Sequence, residues 1–316
     1  MFRRANTLSC HKVAVLATVC LLQLSSHTYA TPFKPQSTSD ADTSDAITFP
    51  PPDDANLDWG NPPYSNGDPP QVVLRGDSRS PEELQQTGGM PVGYGGPFTN
   101  QSFSLETHHI GKKKVPTAYV STTTSFSIAL DYATMVSPLD FDARKDGWVY
   151  MIHATPNMID LLGSGIKTSW PSEHEYSSMG GIRYDQIMGW LSVSADDLDP
   201  DEILNYKTYK DFQKDHPKIK WEKNKQYNKK YNAFKPSQGQ PQLVGNETWP
   251  NSLGQDTPRG RPASEYPQMT LEGWAVEFMN RTAWPVGWKG AFPMDLKARG
   301  DFGGEKMSDQ VPVPPR

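Results

Sequence analysis

Cysteine is nearly absent from the 316-residue chain: Cys10 and Cys20 are its only two. Both fall within residues 1–30, which have the features of a secretory signal peptide. Two arginines precede an apolar stretch, and a small-residue cleavage site follows at Ala30. Removal of this segment leaves no cysteine, so the sequence offers no evidence for a disulfide between the mature chain and a binding partner.

The chain also lacks a long hydrophobic run. Its most apolar stretch, Val13 to Leu24, is shorter than the roughly 20 residues that cross a bilayer, so no membrane span is predicted. Residues 31–70 are rich in Pro, Asp, Ser and Thr, which predicts a disordered linker or propeptide. Residues 71–296 suffice for one large domain. Residues 297–316 are polar and predict a flexible tail.

Positive charge is not in excess either. The chain has 31 Lys and Arg against 36 Asp and Glu, a formal net charge of −5, so it has no global attraction to DNA. Residues 206–235 differ locally, because many lysines alternate there with aromatic side chains. Such a run either binds phosphates and stacks on bases, or is a solvated helix face whose aromatics pack inward. Without a recognisable nucleic-acid module, the second interpretation is favoured.

What the chain does contain is a pair of carboxylates, Glu173 and Glu175, on a polar loop before Gly180 and Gly181. In an extended backbone, residues i and i+2 project from the same face, so both side chains are expected to reach one substrate centre. Close like charges oppose each other's ionisation, which suits one carboxylate to acid/base chemistry and the other to charge stabilisation. On its own, the pair is equally typical of a solvated loop.

An arginine stands at the end of a predicted strand. The apolar residues 72–74 lead into Arg75, and Gly76 then allows a close backbone approach. Residues 80–89 carry a capping box, a proline at the first helical position and a terminal glycine pair, which predict a short helix. Arg75 is therefore held where its guanidinium can bind a phosphate or a ribose, or it forms an ion pair with Asp77.

Residues 118–126 form a third motif, whose β-branched and aromatic content favours a strand. On a strand, Ser121 and Thr123 face one side, and their hydroxyls are expected to hold a carboxylate from a neighbouring strand. A short helix is predicted over 127–136, and a strand buried on both faces over 147–154. Strands outnumber helices, which indicates an α+β fold.

These motifs occur in the order found in ADP-ribosylating toxins. The chain resembles the catalytic A subunit of the heat-labile enterotoxin and cholera toxin family over about residues 71–193. The matching segments are residues 74–83, 118–122, 154–158 and 173–190. The resemblance implies an ADP-ribosyltransferase fold with two packed antiparallel β-sheets, flanking helices and an NAD cleft between the sheets.

The resemblance also implies a role for each motif residue. Arg75 corresponds to the family's NAD-binding arginine, and Ser121 to the strand serine that orients the site. Glu175 corresponds to the catalytic glutamate, which engages the nicotinamide ribose. Glu173 corresponds to the partner that makes an arginine acceptor reactive. NAD is then the co-substrate, and no metal site is predicted.

A histidine pair leaves two assignments open. His108 aligns with an active-site histidine of the family and is expected to contact the cofactor, but the chain from it to Ser121 is shorter here. His109 is therefore a rival for the same role. Both are equally compatible with surface histidines.

Together these features predict a secreted mono-ADP-ribosyltransferase, a toxin or effector that transfers ADP-ribose from NAD to an arginine of a target protein and releases nicotinamide. One alternative is that the same core acts on nucleic acid or only hydrolyses NAD. Another is an inactive adhesion protein, since residues 75–77 and 299–301 both spell Arg-Gly-Asp. The two carboxylates favour the protein-arginine acceptor.

Overall fold

The computed structural model describes residues 69–93, 96–111, 114–137, 140–166, 173–245 and 269–297. The predicted signal peptide at 1–30 lies outside these residues. So do the linker at 31–70 and the tail at 297–316, apart from residues at their inner edges. Among the helices of the described residues, none combines the length and the apolar character needed to cross a bilayer.

The described residues form both strands and helices. The strands are β1 (Val72–Asp77), β2 (Gly89–Met90), β3 (Tyr119–Thr123), β4 (Met135–Ser137), β5 (Asp140–Arg144), β6 (Gly147–His153), β7 (Met158–Asp160), β8 (Glu175–Met179), β9 (Ile182–Arg183), β10 (Ile187–Val193) and β11 (Glu222–Lys223). The α-helices are α1 (Pro81–Thr87), α2 (Leu105–His109), α3 (Phe126–Thr134), α4 (Tyr209–Asp215) and α5 (Leu271–Thr282). The predicted α+β class is confirmed.

The main sheet has seven strands in the order β11-β10-β6-β1-β3-β8-β7, and its neighbours pair antiparallel. Strand β1 pairs with β6 along its whole length, but it meets β3 only at Leu74 and Thr123. The sheet is therefore two antiparallel halves joined at one point, which accounts for the two sheets expected from the family. Strands β2 and β9, and strands β4 and β5, form separate pairs.

Helix α1 has the ends that its sequence predicts. The Ser80 hydroxyl accepts from the backbone N–H of Glu83 at 3.2 Å, and the Glu83 carboxylate accepts from the backbone N–H of Ser80 at 2.7 Å. This capping box satisfies two donors that a helix start leaves unpaired. The helix ends at Gly88, whose φ of 79° is left-handed.

Helix α3 lies directly on β1 and β6, and two glycines make room for it. A Cβ on Gly76 would lie 2.1 Å from the carbonyl oxygen of Ala129, and a Cβ on Gly147 would lie 1.8 Å from that of Ala133. The close approach predicted at Gly76 is confirmed, and the approaching backbone is this helix. Contact without intervening side chains fixes α3 relative to the strand that carries Arg75.

The aromatic residues of the lysine-rich run at 206–235 pack inward. Tyr206, Tyr209 and Phe212 are buried in a cluster with the apolar face of α3, and Tyr231 is buried in the cluster that includes α5. The run therefore contributes to the core, as the interpretation favoured from the sequence requires.

Gly147→Ala is expected to destabilise the domain, because the new methyl group would overlap the main chain of α3. Overpacking of this kind costs about 1–3 kcal/mol in the free energy of unfolding, which denaturant titration measures. Gly273→Ala in α5 is the control. Its Cβ would meet the flexible end of Met269 at 3.1 Å and the Thr270 hydroxyl at 3.3 Å. Equal destabilisation in the two variants would contradict the importance of the glycine contact.

Candidate active site

The two carboxylates lie together, but not through the extended backbone expected from their spacing. Glu175 begins β8, whereas Glu173 precedes the strand, and His174 between them has a left-handed φ of 42°. That conformation is uncommon outside glycine. Carboxylate oxygens of Glu173 and Glu175 and a ring nitrogen of His109 nevertheless lie within 4.8 Å of one another. The side chains therefore converge through a turn, and the predicted backbone geometry was wrong.

The hydroxyls of Thr123 and Ser121 on β3 contact this turn and a histidine, respectively, rather than the carboxylates. The Thr123 hydroxyl donates to the backbone carbonyl of Glu173, and the Ser121 hydroxyl lies 2.9 Å from Nε2 of His108. The expectation that Ser121 and Thr123 bind a carboxylate directly was wrong. Their side chains instead fix the main chain before β8 and the ring of a histidine.

Glu175 is surrounded by hydrogen-bonding groups. Its Oε2 lies 3.2 Å from Nδ1 of His109, and its Oε1 accepts from the Ser177 hydroxyl at 2.9 Å and lies 3.4 Å from Nε2 of His108. Burial alone would raise the pKa of Glu175, but the hydrogen bonds and charges of the two histidines bring it well below its usual range. Glu175 is therefore ionised and rigidly held.

Ser177 is a site residue that motif analysis did not identify. It is fully buried and lies two positions after Glu175 on β8. Residues at this spacing on a strand share one face, so its hydroxyl lies beside the carboxylate. The alternation rule that was applied to Glu173 and Glu175 would have found Ser177, since the extended backbone begins at Glu175.

The structure brings both histidines of α2 to Glu175. His108 is bound through both ring nitrogens, with the Thr117 hydroxyl 2.8 Å from Nδ1 and the Ser121 hydroxyl on Nε2. For His109, burial lowers the pKa, but the hydrogen bond to Glu175 and the charges of nearby glutamates raise it above its ordinary value. The assignment of His108 as the cofactor contact, with His109 as its rival, stays a prediction.

Glu173 has a different environment. Its Oε1 accepts from the Tyr132 hydroxyl at 2.9 Å, and no other described residue donates to its carboxylate. Burial, followed by the charge of Glu175, raises the pKa of Glu173 to about 7. The two carboxylates therefore titrate far apart, as expected for close like charges. Tyr132 lies on α3 and belongs to none of the sequence motifs.

Arg75 connects the two halves of the sheet. Its Nη1 donates to the backbone carbonyl of Ser121 on β3 at 2.6 Å, and its Nε donates to Asp77 at 3.2 Å. Burial alone would raise the pKa of Asp77, but Arg79 and Arg75 hold it well below its usual range. The ion pair considered from the sequence is present. Within the described residues nothing accepts from Nη2 of Arg75, so part of its guanidinium is left for a ligand.

His109, Glu173 and Glu175 are also close enough to offer three ligand atoms to a metal ion. Each already has a protein partner, since His109 and Glu175 are hydrogen-bonded to each other and Glu173 to Tyr132. The arrangement is thus complete as a hydrogen-bonded network. The expectation that the site has no metal stays a prediction.

A seven-stranded sheet that divides beside an arginine, with two carboxylates at the adjoining half, defines an ADP-ribosyltransferase fold. Comparison with known families gives the same result. The family model described as heat-labile enterotoxin alpha chain matches residues 58–247, more than half of the chain, and the chain belongs to this family.

Several toxin chains are similar in sequence. The heat-labile enterotoxin A chain of Escherichia coli O78:H11 is 32% identical over 158 residues, which are 48% of this chain and 59% of that one. The A subunit of cholera enterotoxin from Vibrio cholerae serotype O1 is 34% identical over 159 residues, 47% and 58% of the two chains. The chain thus spans about three fifths of the length of these curated relatives.

Solved structures show a likeness at lower identity. A structure of heat-labile enterotoxin has a TM-score of 0.41 and 20% identity, covering 63% of this chain and 99% of that one. Scabin toxin from Streptomyces scabies, in complex with NADH, has a TM-score of 0.33 and 20% identity, covering 50% and 75%.

Glu173→Gln is expected to stabilise the fold at high pH. Because the folded-state pKa of about 7 lies above the ordinary value of 4.5, the folded state binds more protons between these pH values, and its stability falls as the pH rises through them. Glutamine removes this loss, worth up to about 3 kcal/mol. Denaturant unfolding should show the gain near pH 8 and little difference near pH 4.

Glu175→Gln is the matched comparison. The pKa of Glu175 is lowered in the folded state, so its charge stabilises the fold above the unfolded-state pKa, and that stability is lost only as the pH falls. This variant should be less stable than wild type near pH 8. A loss of stability near pH 8 in Glu173→Gln as well would contradict the raised pKa.

Proposed function

We propose that this protein is a mono-ADP-ribosyltransferase that transfers ADP-ribose from NAD to an arginine of a target protein and releases nicotinamide. The observation that carries the proposal is the unequal environment of two buried carboxylates. Glu175 is ionised and fixed by several hydrogen-bonding groups, whereas Glu173 has a pKa of about 7 and one described donor. Such a pair supplies charge stabilisation and a base within one site.

The first step breaks the bond between nicotinamide and ribose. The bonding electrons leave with nicotinamide, and the ribose develops oxocarbenium-like positive charge. A fixed, ionised carboxylate stabilises this charge without having to reorganise during the reaction. We assign this role to Glu175, which Ser177, His108 and His109 hold in place.

The second step requires a base, because an arginine guanidinium is protonated at physiological pH and is not nucleophilic in that form. Glu173 is the candidate. A general base is most effective when its pKa lies near the working pH, and the pKa of Glu173 is raised to about 7. Its carboxylate takes a proton from the guanidinium while the guanidine nitrogen bonds to the anomeric carbon of ribose.

Cofactor binding is assigned to Arg75 and the residues around Ser121. Nη2 of Arg75 is available to a phosphate or ribose oxygen, while its other nitrogens are anchored to Ser121 and Asp77. Ser121 also orients His108, which we assign as a cofactor contact with His109 as the rival. A relative 36% identical over 134 residues, from Vibrio cholerae, is named NAD(+)–arginine ADP-ribosyltransferase Chelt, which supports both NAD and an arginine acceptor.

Secretion and delivery into a host cell belong to the same proposal, because similar chains are named as parts of enterotoxins. The partner is then a target protein that presents an arginine. The proposal includes no disulfide-linked binding partner, since both cysteines, Cys10 and Cys20, lie in the predicted signal peptide.

The two carboxylates should be separable by substitution. Glu175→Gln is expected to lower both nicotinamide release and ADP-ribose transfer by about a hundred- to a thousandfold, the usual effect of deleting one electrostatic contact in a transition state. Glu173→Gln should abolish transfer to a small guanidine but leave slow NAD hydrolysis largely intact. Nicotinamide release and incorporation of label from NAD are measured side by side. Equal loss of both activities in Glu173→Gln would contradict the division of roles, and labelling of DNA would contradict the acceptor.

Arg75→Lys should weaken NAD binding by about tenfold or more. Lysine keeps the charge but lacks the planar fork that holds Ser121, Asp77 and a ligand together. Isothermal calorimetry with NAD measures the effect. Arg281→Lys, on the exposed side of α5, is the control and should bind NAD as wild type does. Unchanged affinity in Arg75→Lys would make this arginine purely structural.

A further inference from the structure

We infer that Tyr132 is a positioning residue for the transfer step: its hydroxyl orients the Glu173 carboxylate for proton transfer from the acceptor arginine and favours the ionised form of that carboxylate. The inference rests on the proposed role of Glu173 as the base. It assigns a part in the reaction to helix α3, which lies beyond the sequence motifs except for its first residue, Phe126.

The contact is specific in its geometry. The Tyr132 hydroxyl donates to Oε1 of Glu173 at 2.9 Å, across 41 positions of sequence. A hydrogen bond to one carboxylate oxygen restrains the rotation of the group and therefore narrows the directions in which the other oxygen points. Oε2 of Glu173 accepts nothing from the described residues and is the oxygen left for the guanidinium.

The contact also opposes the two influences that raise the pKa of Glu173. Burial and the neighbouring charge of Glu175 both favour the protonated form, which cannot act as a base. The Tyr132 hydroxyl, which donates to the ionised form, counters them, and so does the charge of His109 on α2. Burial, followed by the charge of Glu173, raises the pKa of Tyr132 well above its ordinary value, so the hydroxyl keeps its proton throughout.

The position of Tyr132 is determined by the packing of α3. A Cβ on Gly76 would lie 2.8 Å from the backbone carbonyl carbon of Tyr132, so this part of the helix rests directly on β1. The preceding residue, Asp131, pairs with Arg144 at 2.6 Å. Because Arg75 is adjacent to Gly76, the tyrosine and the proposed NAD-binding arginine are held in one rigid frame.

Other tyrosines show what a purely structural hydroxyl does in this protein. Tyr119 donates to the backbone carbonyl of Phe103 at 2.7 Å, and Tyr209 donates to that of Ile219 at 2.9 Å. Tyr132 instead donates to one member of the buried carboxylate pair. Tyr209 therefore provides a matched control.

The balance of the step is simple. One proton moves from the acceptor guanidinium to Oε2 of Glu173, and the guanidine nitrogen bonds to the anomeric carbon. The bond between that carbon and the nicotinamide nitrogen breaks, and its electron pair leaves with nicotinamide. Tyr132 neither gains nor loses a proton. Its removal should therefore impair transfer more than hydrolysis, and it should change the pH at which the base becomes active.

The test compares Tyr132→Phe with Tyr209→Phe and wild type. Transfer to agmatine, as a small guanidine, and release of nicotinamide are measured from about pH 5 to pH 9. We expect Tyr132→Phe to lower kcat for transfer about tenfold, with KM for NAD unchanged and hydrolysis within about twofold of wild type. The acid limb of its transfer profile should move up by about one pH unit. Tyr209→Phe should match wild type in all of these.

A second readout does not require activity. The carboxyl carbon of Glu173, labelled with ¹³C and identified by its absence in Glu173→Gln, is titrated by NMR. Its titration should also move to higher pH in Tyr132→Phe. An unchanged titration, an unchanged acid limb, or equal loss of transfer and hydrolysis would each overturn the inference. If wild type itself transfers nothing, the proposed function fails and the inference with it; if wild type transfers and Tyr132→Phe is indistinguishable from it, only the inference fails.

Discussion

The hydrogen-bonded carboxylate of Glu175 is the interaction on which the site depends. A buried negative charge is costly unless it is paired and hydrogen-bonded, and its partners come from two separate elements. Ser177 lies on the same strand, whereas His108 and His109 lie on α2. Keeping Glu175 ionised therefore holds α2 against β8, and the same charge helps to raise the pKa of Glu173. The ionised state of Glu175 thus affects both the position of α2 and the pKa of Glu173.

The sheet places this network beside Arg75. Strand β1 is bound to β6 by a continuous backbone ladder, but to β3 by one residue pair and by the side chain of Arg75 on the carbonyl of Ser121. Gly76 then allows α3 to rest on β1. Through these contacts, the arginine proposed to bind NAD and the carboxylate proposed as the base share a common support.

The local sequence was sufficient to predict those elements whose structure depends on contacts between nearby residues. The capping box at Ser80 and Glu83 is set by neighbours within three residues and was predicted correctly. The strand predicted over 147–154 from its continuous apolar run forms at Gly147–His153. The turn at His174 was missed, because a single left-handed residue leaves no trace in an apolar pattern. Tyr132 was missed because only tertiary packing brings it to a carboxylate 41 positions away. The residue pattern indicated the kind of chemistry, and the family resemblance indicated which carboxylate and which cofactor it involves.

The single-pair junction between β1 and β3 also bears on how the protein can change over evolutionary time. A backbone ladder forms almost regardless of which side chains it carries, so point mutations rarely alter the spacing of strands that it joins. A junction made largely by an arginine side chain depends on residue identity. Substitutions around Arg75 and Ser121 can therefore alter the distance between the two halves of the sheet while each half keeps its own pairing.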